Sequence, residues 1–233
     1  DDPTVLEMAR RGRARMRLFS RSRPLGDGTS VDGEWIVDRD PNRADARLVP
    51  LDAIHLLGPH LVNDVMAAAT VGLIAGAAPA AMTAAVDTFR GLEHAMELVA
   101  DFGGVRFVND SKATNVESAL RSIESFDRDL VVILGGRFKG GDLRLLREPI
   151  HARAKAVVTI GESRPLFRDA LKDVIRVFDA ETFTDAIRAA HALAKPSGVV
   201  LLAPACASFD MFRDYAERGR KFKEEVAKLR ADG

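Results

Sequence analysis

A chain of 233 residues can form one large domain or two of ordinary size, and a 47% share of apolar residues is enough for a buried core. The 34 basic and 34 acidic residues cancel, which leaves no electrostatic case for binding nucleic acid or an anionic membrane surface. The single cysteine, Cys206, rules out an internal disulfide and fits a reducing cytoplasm, and no apolar run is long enough to span a bilayer.

The first part of the chain predicts a small unit of mixed strands and helices. Its expected elements, in chain order, are helix 4–14, strand 15–20, a hairpin over 30–38 that turns at Asp32-Gly33, strand 47–51 and an apolar helix over 61–75. Gly76 to Pro79 interrupts the helical pattern, and we place a domain boundary there, between residues 78 and 79. The chain opens on Asp1-Asp2-Pro3 without an initiator methionine, so we expect it to be part of a longer protein.

From residue 80 onward, apolar strands alternate regularly with helices. The expected strands are 95–101, 104–109, 130–134, 156–160, 174–178 and 199–203, and the expected helices are 81–89, 115–125, 142–153, 163–172, 182–194 and 210–230. Continuous apolar runs separated by helices are typical of a parallel sheet covered on both faces. The sequence therefore predicts an α/β fold with a doubly wound, mostly parallel sheet over residues 79–233.

The most informative stretch is Asn109-Asp-Ser-Lys-Ala-Thr-Asn115, which lies where a predicted strand hands over to a predicted helix. Ligands of parallel α/β sheets bind at this end of the strands, and helix N-termini favour anions. Asp110 or Ser111 could simply cap the following helix. Capping gives no reason for Lys112, so the stretch predicts a ligand site.

Two further loops follow predicted strands and are expected at the same edge of the sheet. Gly135-Gly-Arg-Phe-Lys-Gly-Gly-Asp142 combines glycines with the charge of Lys139, and Pro204-Ala-Cys-Ala-Ser-Phe-Asp210 presents the hydroxyl of Ser208. Each loop alone has an ordinary explanation, as a flexible turn or as a helix cap. Together with Lys112, they predict a site for a small anionic ligand.

These motifs, in this order, resemble those of the D-glutamate-adding members of the Mur ligase family. Phe89-Arg-Gly-Leu-Glu-His94 and Arg213-Asp-Tyr-Ala-Glu-Arg-Gly219 extend the resemblance, which is strong after residue 58 and weak before it. It implies a Rossmann-like, glutamate-binding C-terminal domain over residues 79–233, preceded over 1–78 by the later part of a central α/β ATPase domain. No G-x-x-x-x-G-K-[ST] phosphate-binding loop occurs in the chain, so we expect the chain to be inactive on its own.

The resemblance implies an ATP-dependent reaction of peptidoglycan synthesis. ATP phosphorylates the carboxylate of UDP-N-acetylmuramoyl-L-alanine, and the amine of D-glutamate then displaces phosphate from the acyl phosphate. It implies magnesium as well, with most ligands of ATP and metal outside this chain and no metal ligand within it. The implied protein is cytoplasmic and monomeric, with no nucleic-acid partner and no membrane insertion.

The resemblance also implies a role for ten residues. Lys112 is the expected catalytic cation near the transferring phosphate, where negative charge builds. The expected D-glutamate ligands are Thr114, Lys139, Ser208, Phe209 through its backbone, and Tyr215, and the expected ATP contacts are Asn63, Asp64, His94 and Asp110. Ordinary structural roles remain open for several of them, such as core packing for Tyr215 and a satisfied loop histidine for His94.

The chain departs from the family pattern on the nucleotide side. Ala95 stands where the family has an arginine, and Leu61 stands where it has an asparagine. The glutamate half of the site is therefore expected to be intact and the ATP half weakened.

Two alternatives stay open at this point. One is another amide ligase of the Mur superfamily, such as the folylpolyglutamate type, which is not expected to carry both the Ser-Lys-Ala-Thr and the Ala-Cys-Ala-Ser loops. The other is a non-catalytic module that binds a ligand or a partner through the same scaffold.

Overall fold

The computed structural model describes residues 2–232 and divides the chain into two compact units, Asp1–Arg90 and Gly91–Gly233. The predicted boundary between residues 78 and 79 differs from this division. The helix that follows residue 78 packs on the last strand of the first unit, and its Met82 and Val86 join that unit's core. The segment that separates the two units is therefore Phe89 to Leu92, beyond the helix.

The first unit contains a four-stranded sheet with helices. Its elements are α1 (Pro3–Arg10), β1 (Phe19–Ser20), β2 (Gly28–Asp32), β3 (Trp35–Asp40), β4 (Arg43–Pro50), α2 (Leu61–Ile74) and α3 (Pro79–Thr88). The strands lie in sequence order, with β1 parallel to β2 and the others antiparallel. The predicted hairpin at Asp32-Gly33 is confirmed, whereas the predicted strand over 15–20 is reduced to its last two residues.

A buried carboxylate, Asp38 on β3, organises the polar side of this unit. It accepts hydrogen bonds from Arg17 at 2.5 Å and Arg43 at 2.6 Å, and from the hydroxyl of Thr29 at 3.2 Å. The Asp38 side chain is fully buried and that of Arg17 is 11% exposed. A buried charge requires such partners, because desolvation penalises any that lacks them.

The second unit contains the predicted doubly wound sheet. Its elements are β5 (Glu97–Phe102), β6 (Val105–Asn109), α4 (Val116–Glu124), β7 (Leu130–Gly135), α5 (Arg147–Arg153), β8 (Ala154–Ile160), α6 (Arg164–Leu171), β9 (Val177–Asp179), α7 (Phe183–Ala194), β10 (Gly198–Leu202) and α8 (Tyr215–Asp232). The strand order is β5-β6-β10-β7-β8-β9, with all pairs parallel except β5 with β6. The α/β prediction is confirmed.

Both faces of this sheet are buried, as the continuous apolar runs predict. All six residues of β7 are buried. Alternate strand residues such as Phe107 and Ile133 pack with α7 and α8 in one core. Residues of the opposite parity such as Val132 are equally buried, and α5 and α6 contact the strands there.

The predicted helix over 210–230 begins five residues late, at Tyr215. Asp214 accepts a hydrogen bond from the Glu217 amide at 2.6 Å, and the Glu217 carboxylate accepts one from the Arg213 amide at 2.7 Å. This reciprocal arrangement resembles a capping box and starts the helix after Asp214. The residues before it are thereby left as the loop that carries Ser208. Within residues 2–232, we find no helix whose length and apolar character would let it cross a membrane.

We expect Asp38→Asn to destabilise the first unit by about 3 kcal/mol, because Arg17 would lose a buried charged partner. Urea unfolding followed by the fluorescence of Trp35, the one tryptophan of the chain, measures the effect on the strand that carries the substitution. The matched control is Asp45→Asn, which removes an exposed ion pair with Arg39 and should cost less than about 1 kcal/mol. Equal losses for the two variants would contradict the assignment.

Candidate functional site

Three loops meet at the carboxyl ends of β6, β10 and β7. We call them the Lys112 loop (residues 110–115), the Lys139 loop (residues 136–142) and the Ser208 loop (residues 203–214). Backbone hydrogen bonds join the Ser208 loop to both others, because the Ala205 amide donates to Ala113 at 2.9 Å and Arg137 and Ala207 exchange two bonds at 2.9 and 3.0 Å. The strand order places the Ser208 loop between the other two. The predicted convergence of these loops is thus observed.

The polar side chains expected to bind an anion lie on these loops. The Nζ of Lys139 lies 3.5 Å from Oγ1 of Thr114, so an ammonium and a hydroxyl from different loops are paired. Ser208 is 2% exposed, and within residues 2–232 its hydroxyl has no hydrogen-bond partner. Beside it, Phe209 is 62% exposed, a large apolar side chain left in solvent.

Lys112 is held by its backbone, while its side chain is exposed. Its amide donates to the His94 carbonyl at 3.0 Å. Its side chain is exposed, and in the described part of the chain its ammonium has neither a hydrogen bond nor an ion pair. Asp110, Ser111 and Ala113 of this loop are buried, whereas the exposed, unpaired ammonium of Lys112 is available to an anionic ligand.

Asp110 is committed to the protein interior. One carboxylate oxygen accepts from the Met96 amide at 3.2 Å and the other accepts from the Ser122 hydroxyl. Burial raises the pKa of Asp110 despite these bonds and the nearby Lys112. Asp110 thus braces the turn that contains His94 and Met96, both with positive φ. Its predicted contact with the ribose of ATP stays a prediction.

The helix cap expected from Asp110 or Ser111 is provided by Asn115 instead. Its side-chain oxygen accepts from the Ser118 amide at 2.8 Å. The capping explanation for Asp110 and Ser111 is therefore wrong, since both are buried and bonded elsewhere.

His94 is a buried hydrogen-bond acceptor. It is 3% exposed, and the Asn109 side-chain amide donates to its Nδ1 at 2.9 Å. An imidazole nitrogen accepts only when it carries no proton, so His94 is neutral with its proton on Nε2. Burial lowers the pKa of His94, against the opposing charges of Glu93 and Glu97. The ring of Tyr215 stands edge-on to it at 6.5 Å.

Helix α8 packs directly on His94 at Gly219. A Cβ at position 219 would lie 2.3 Å from Nδ1 of His94, closer than atoms can approach. The carbonyl of Gly219 also lies 3.3 Å from the donating amide of Asn109. Neither Asn109 nor Gly219 had an assigned role in the sequence analysis. The available signal was a glycine within an otherwise regular helical pattern.

Asn63 and Asp64 lie in the first turn of α2, in the first unit. Asp64 is exposed. Oδ1 of Asn63 is buried and has no hydrogen-bond partner within residues 2–232. Their predicted contacts with ATP stay predictions.

Within residues 2–232, no three side chains of His, Cys, Asp or Glu are grouped closely enough to hold a metal ion. The described residues therefore do not form a magnesium site by themselves, and no chemical step is assigned to a metal here.

Comparison with known proteins places these loops in a family context. A family model described as "Mur ligase, glutamate ligase domain" matches residues 94–206. UDP-N-acetylmuramoylalanine–D-glutamate ligases of Koribacter versatilis and Acidobacterium capsulatum are 41% and 40% identical over 98% and 97% of the chain. The chain covers 50% and 49% of those two proteins, and so spans about half the length of the curated relatives it matches.

Solved structures share the fold at low sequence identity. The MurF ligase of Thermotoga maritima in complex with ADP is one of them. The match covers 98% of this chain and 53% of the MurF chain, with a TM-score of 0.62 and 13% sequence identity. A Mycobacterium tuberculosis folylpolyglutamate synthase complexed with ADP and AMPPCP matches 83% of the chain and 46% of its own, with a TM-score of 0.58 and 17% identity. These two matches concern the fold alone.

We expect Gly219→Ala to destabilise the second unit by about 1–3 kcal/mol through overpacking against His94. Glycine to alanine in a helix ordinarily gains about 1 kcal/mol, so the sign is diagnostic. In a His94→Ala background, the obstacle is gone and the same change should become neutral or stabilising. Thermal or urea unfolding of the four proteins measures this, and an equal loss in both backgrounds would contradict the contact.

Acidification should weaken the second unit through His94. Because the folded state lowers the pKa of His94 below its usual 6.5, the unfolded chain binds the proton more readily. Stability is then fully present above the usual pKa and falls as the pH drops through the lowered one. NMR titration of the imidazole should give a midpoint below 6.5.

The unfolding free energy of His94→Gln, measured between about pH 7.5 and pH 5, should depend less on pH than that of the unmodified protein. Burial also lowers the pKa of His191, so part of the dependence should persist. An unchanged pH dependence in His94→Gln would contradict this role.

Proposed function

This chain belongs to the D-glutamate-adding Mur ligase family, and we propose that it supplies the D-glutamate-binding part of that ligase. The proposed reaction joins D-glutamate to UDP-N-acetylmuramoyl-L-alanine in peptidoglycan synthesis, with ATP as phosphoryl donor and an acyl phosphate as intermediate. Because the chain spans about half of its curated relatives, the activity is proposed for the whole protein of which these residues form part.

The convergence of three loops on one patch supports this proposal. Lys139 and Thr114 form a pair of donors from two loops, and Ser208 offers an unpartnered hydroxyl on the third. D-Glutamate carries two carboxylates, and charge-assisted hydrogen bonds from an ammonium and from hydroxyls suit them. We assign one carboxylate to Lys139 and Thr114, and the other contacts to Ser208 and the Phe209 backbone.

Tyr215 is 40% exposed and lies beside His94 at the start of α8. We propose that its ring packs against the aliphatic part of the bound glutamate. Its position is set by its backbone, since its carbonyl accepts a hydrogen bond from Ser111.

Lys112 is the proposed catalytic cation. As the amine of D-glutamate attacks the acyl phosphate, the C–N bond forms, the C–O bond to phosphate breaks and the amine loses a proton. Negative charge builds on the carbonyl oxygen and on the departing phosphate. An ammonium at this point favours the transition state more than the ground state. The exposed, unpaired side chain of Lys112 suits that role.

For the nucleotide we propose contacts with His94 and Asp110, both in the second unit. Relatives of the same fold have been solved with ADP or AMPPCP, which supports ATP as the donor. Such a donor would place the reaction in the cytoplasm. Ala95 and Leu61 replace two polar side chains that the family pattern has for nucleotide binding. Each lost hydrogen bond to a charged group costs roughly 1.5–3 kcal/mol.

We expect this 233-residue chain to bind D-glutamate in preference to L-glutamate, measured by calorimetry. Lys139→Met should weaken D-glutamate binding by about 10- to 100-fold, because a hydrogen bond to a charged group contributes about 1.5–3 kcal/mol. The matched control is Lys172→Met, which alters an exposed lysine paired with Asp169 at the end of α6 and should leave the affinity unchanged.

Absence of binding by either enantiomer would count against the proposal and in favour of a non-catalytic module. Equal binding of both would remove the assignment of D-glutamate as the substrate. An equal loss of affinity in the two lysine variants would remove Lys139 from the site.

A further inference from the structure

Arg218 is a buried charge without a carboxylate partner. It lies in the first turn of α8 and is 1% exposed. By residue volume it is the largest of the fully buried side chains among the described residues. No aspartate or glutamate within the described residues lies within ion-pair distance of it. Burial lowers the pKa of Arg218 to about 10, so the guanidinium still carries its charge at neutral pH.

The guanidinium is satisfied by two loops of the candidate site. Its Nε donates to the Ser111 hydroxyl at 2.9 Å, and its Nη2 donates to the Ser111 carbonyl at 2.8 Å. Nη1 and Nη2 both approach the Cys206 carbonyl at 3.2 Å. The Ser111 hydroxyl in turn donates a hydrogen bond to the Tyr215 carbonyl at 2.7 Å. One planar group thus joins the Lys112 loop, the Ser208 loop and α8.

The third loop passes immediately beside this group. A Cβ at Gly136 would lie 3.3 Å from Nη1 of Arg218 and 2.4 Å from the Ala207 carbonyl. The backbone therefore comes close to the guanidinium where β7 leads into the Lys139 loop. The charge is stabilised by backbone carbonyls and a hydroxyl, in the fork geometry that an arginine offers and a lysine does not.

The bonded residues lie next to the proposed ligands along the chain. Ser111 directly precedes Lys112 and lies three residues before Thr114, and Cys206 lies two residues before Ser208. The guanidinium itself is too deeply buried to meet a ligand in solvent. Its action on a bound ligand has to pass through the loops.

We propose that Arg218 is a positioning residue, which locks the Lys112 and Ser208 loops in the relative placement that D-glutamate binding requires. The choice of D-glutamate as the ligand rests on the proposed function. The effect of Arg218 on the two loops rests only on its hydrogen bonds to Ser111 and Cys206.

The test compares Arg218→Met and Arg218→Lys with the matched control Arg220→Met, which makes the same change at an exposed residue of the same helix. Each variant is examined for D-glutamate affinity by calorimetry and for backbone amide positions by ¹H–¹⁵N NMR. We expect Arg218→Met to weaken D-glutamate binding at least tenfold and to shift the amides of residues 111–114 and 206–208. Arg218→Lys should recover part of both effects, and Arg220→Met should show neither.

A folded Arg218→Met with unchanged affinity and unshifted loop amides overturns the proposal, and so do shifts confined to α8. If Arg218→Met does not fold, Ser111→Ala decides, because it removes the acceptor of Nε and leaves the rest of the guanidinium's bonds. Unmoved loop amides and unchanged affinity in Ser111→Ala then overturn the proposal. If the unmodified protein does not bind D-glutamate, the proposed function fails, and the amide shifts alone decide whether Arg218 positions the loops.

Discussion

The position of β10 is the constraint on which the site depends. This strand is the last in the sequence, yet it pairs in parallel with β6 on one side and β7 on the other. Leu202 at its end lies beside Asn109 of β6 and beside Ile133 of β7. All three strands therefore end at one edge of the sheet. The Ser208 loop, which follows β10, lies between the Lys112 loop and the Lys139 loop, which come much earlier in the sequence. No single segment of the chain could bring their side chains together.

Helix α8 contacts the residues around His94 through polar side chains. Its Lys223 reaches Glu93 at 2.8 Å and Glu97 at 2.7 Å, while Glu97 also accepts from the His94 amide and the Asn109 side chain. His94 and Asn109 are the buried members of this network, and buried polar groups are costly unless they are paired. Their satisfaction here fixes the rotation of α8, and with it the position of the buried face that the helix presents to the loops.

Much of this could be predicted from the pattern of apolar residues. The run 130–134 predicted β7 to within one residue, and the pattern over 182–194 predicted α7, for which Thr182 is the cap. Strand β9 was harder: predicted at 174–178, it covers Val177–Asp179, because an exposed edge strand has only one neighbour to extend its pairing. The domain boundary was misplaced because a Gly-Pro interruption marks a turn between packed helices as readily as a linker.

Arg218 illustrates a different limit. Four other cations lie within five residues of Arg218, namely Arg213, Arg220, Lys221 and Lys223. From the sequence, one more arginine here therefore resembles part of a solvent-exposed face. The helical period nevertheless puts Arg218 in register with Phe222 and Val226, both buried. A charge on the apolar stripe was therefore visible in the sequence, but its partners are two backbone carbonyls and the hydroxyl of Ser111, 107 residues away, and no sequence pattern specifies such a pairing.

The stretch from Asn109 to Asn115 likewise contains both buried polar residues, bonded within the protein, and residues that face solvent. Asn109, Asp110, Ser111 and Ala113 are buried and bonded within the protein, whereas Lys112 is exposed and Thr114 half-buried. Its polar residues are numerous because they serve two purposes at once. The buried residues fix the backbone of the loop through hydrogen bonds with His94, Ser122 and Arg218. The other residues point towards solvent. A loop this short can hold the backbone of Lys112 in a fixed place because most of the neighbouring side chains are bonded within the protein.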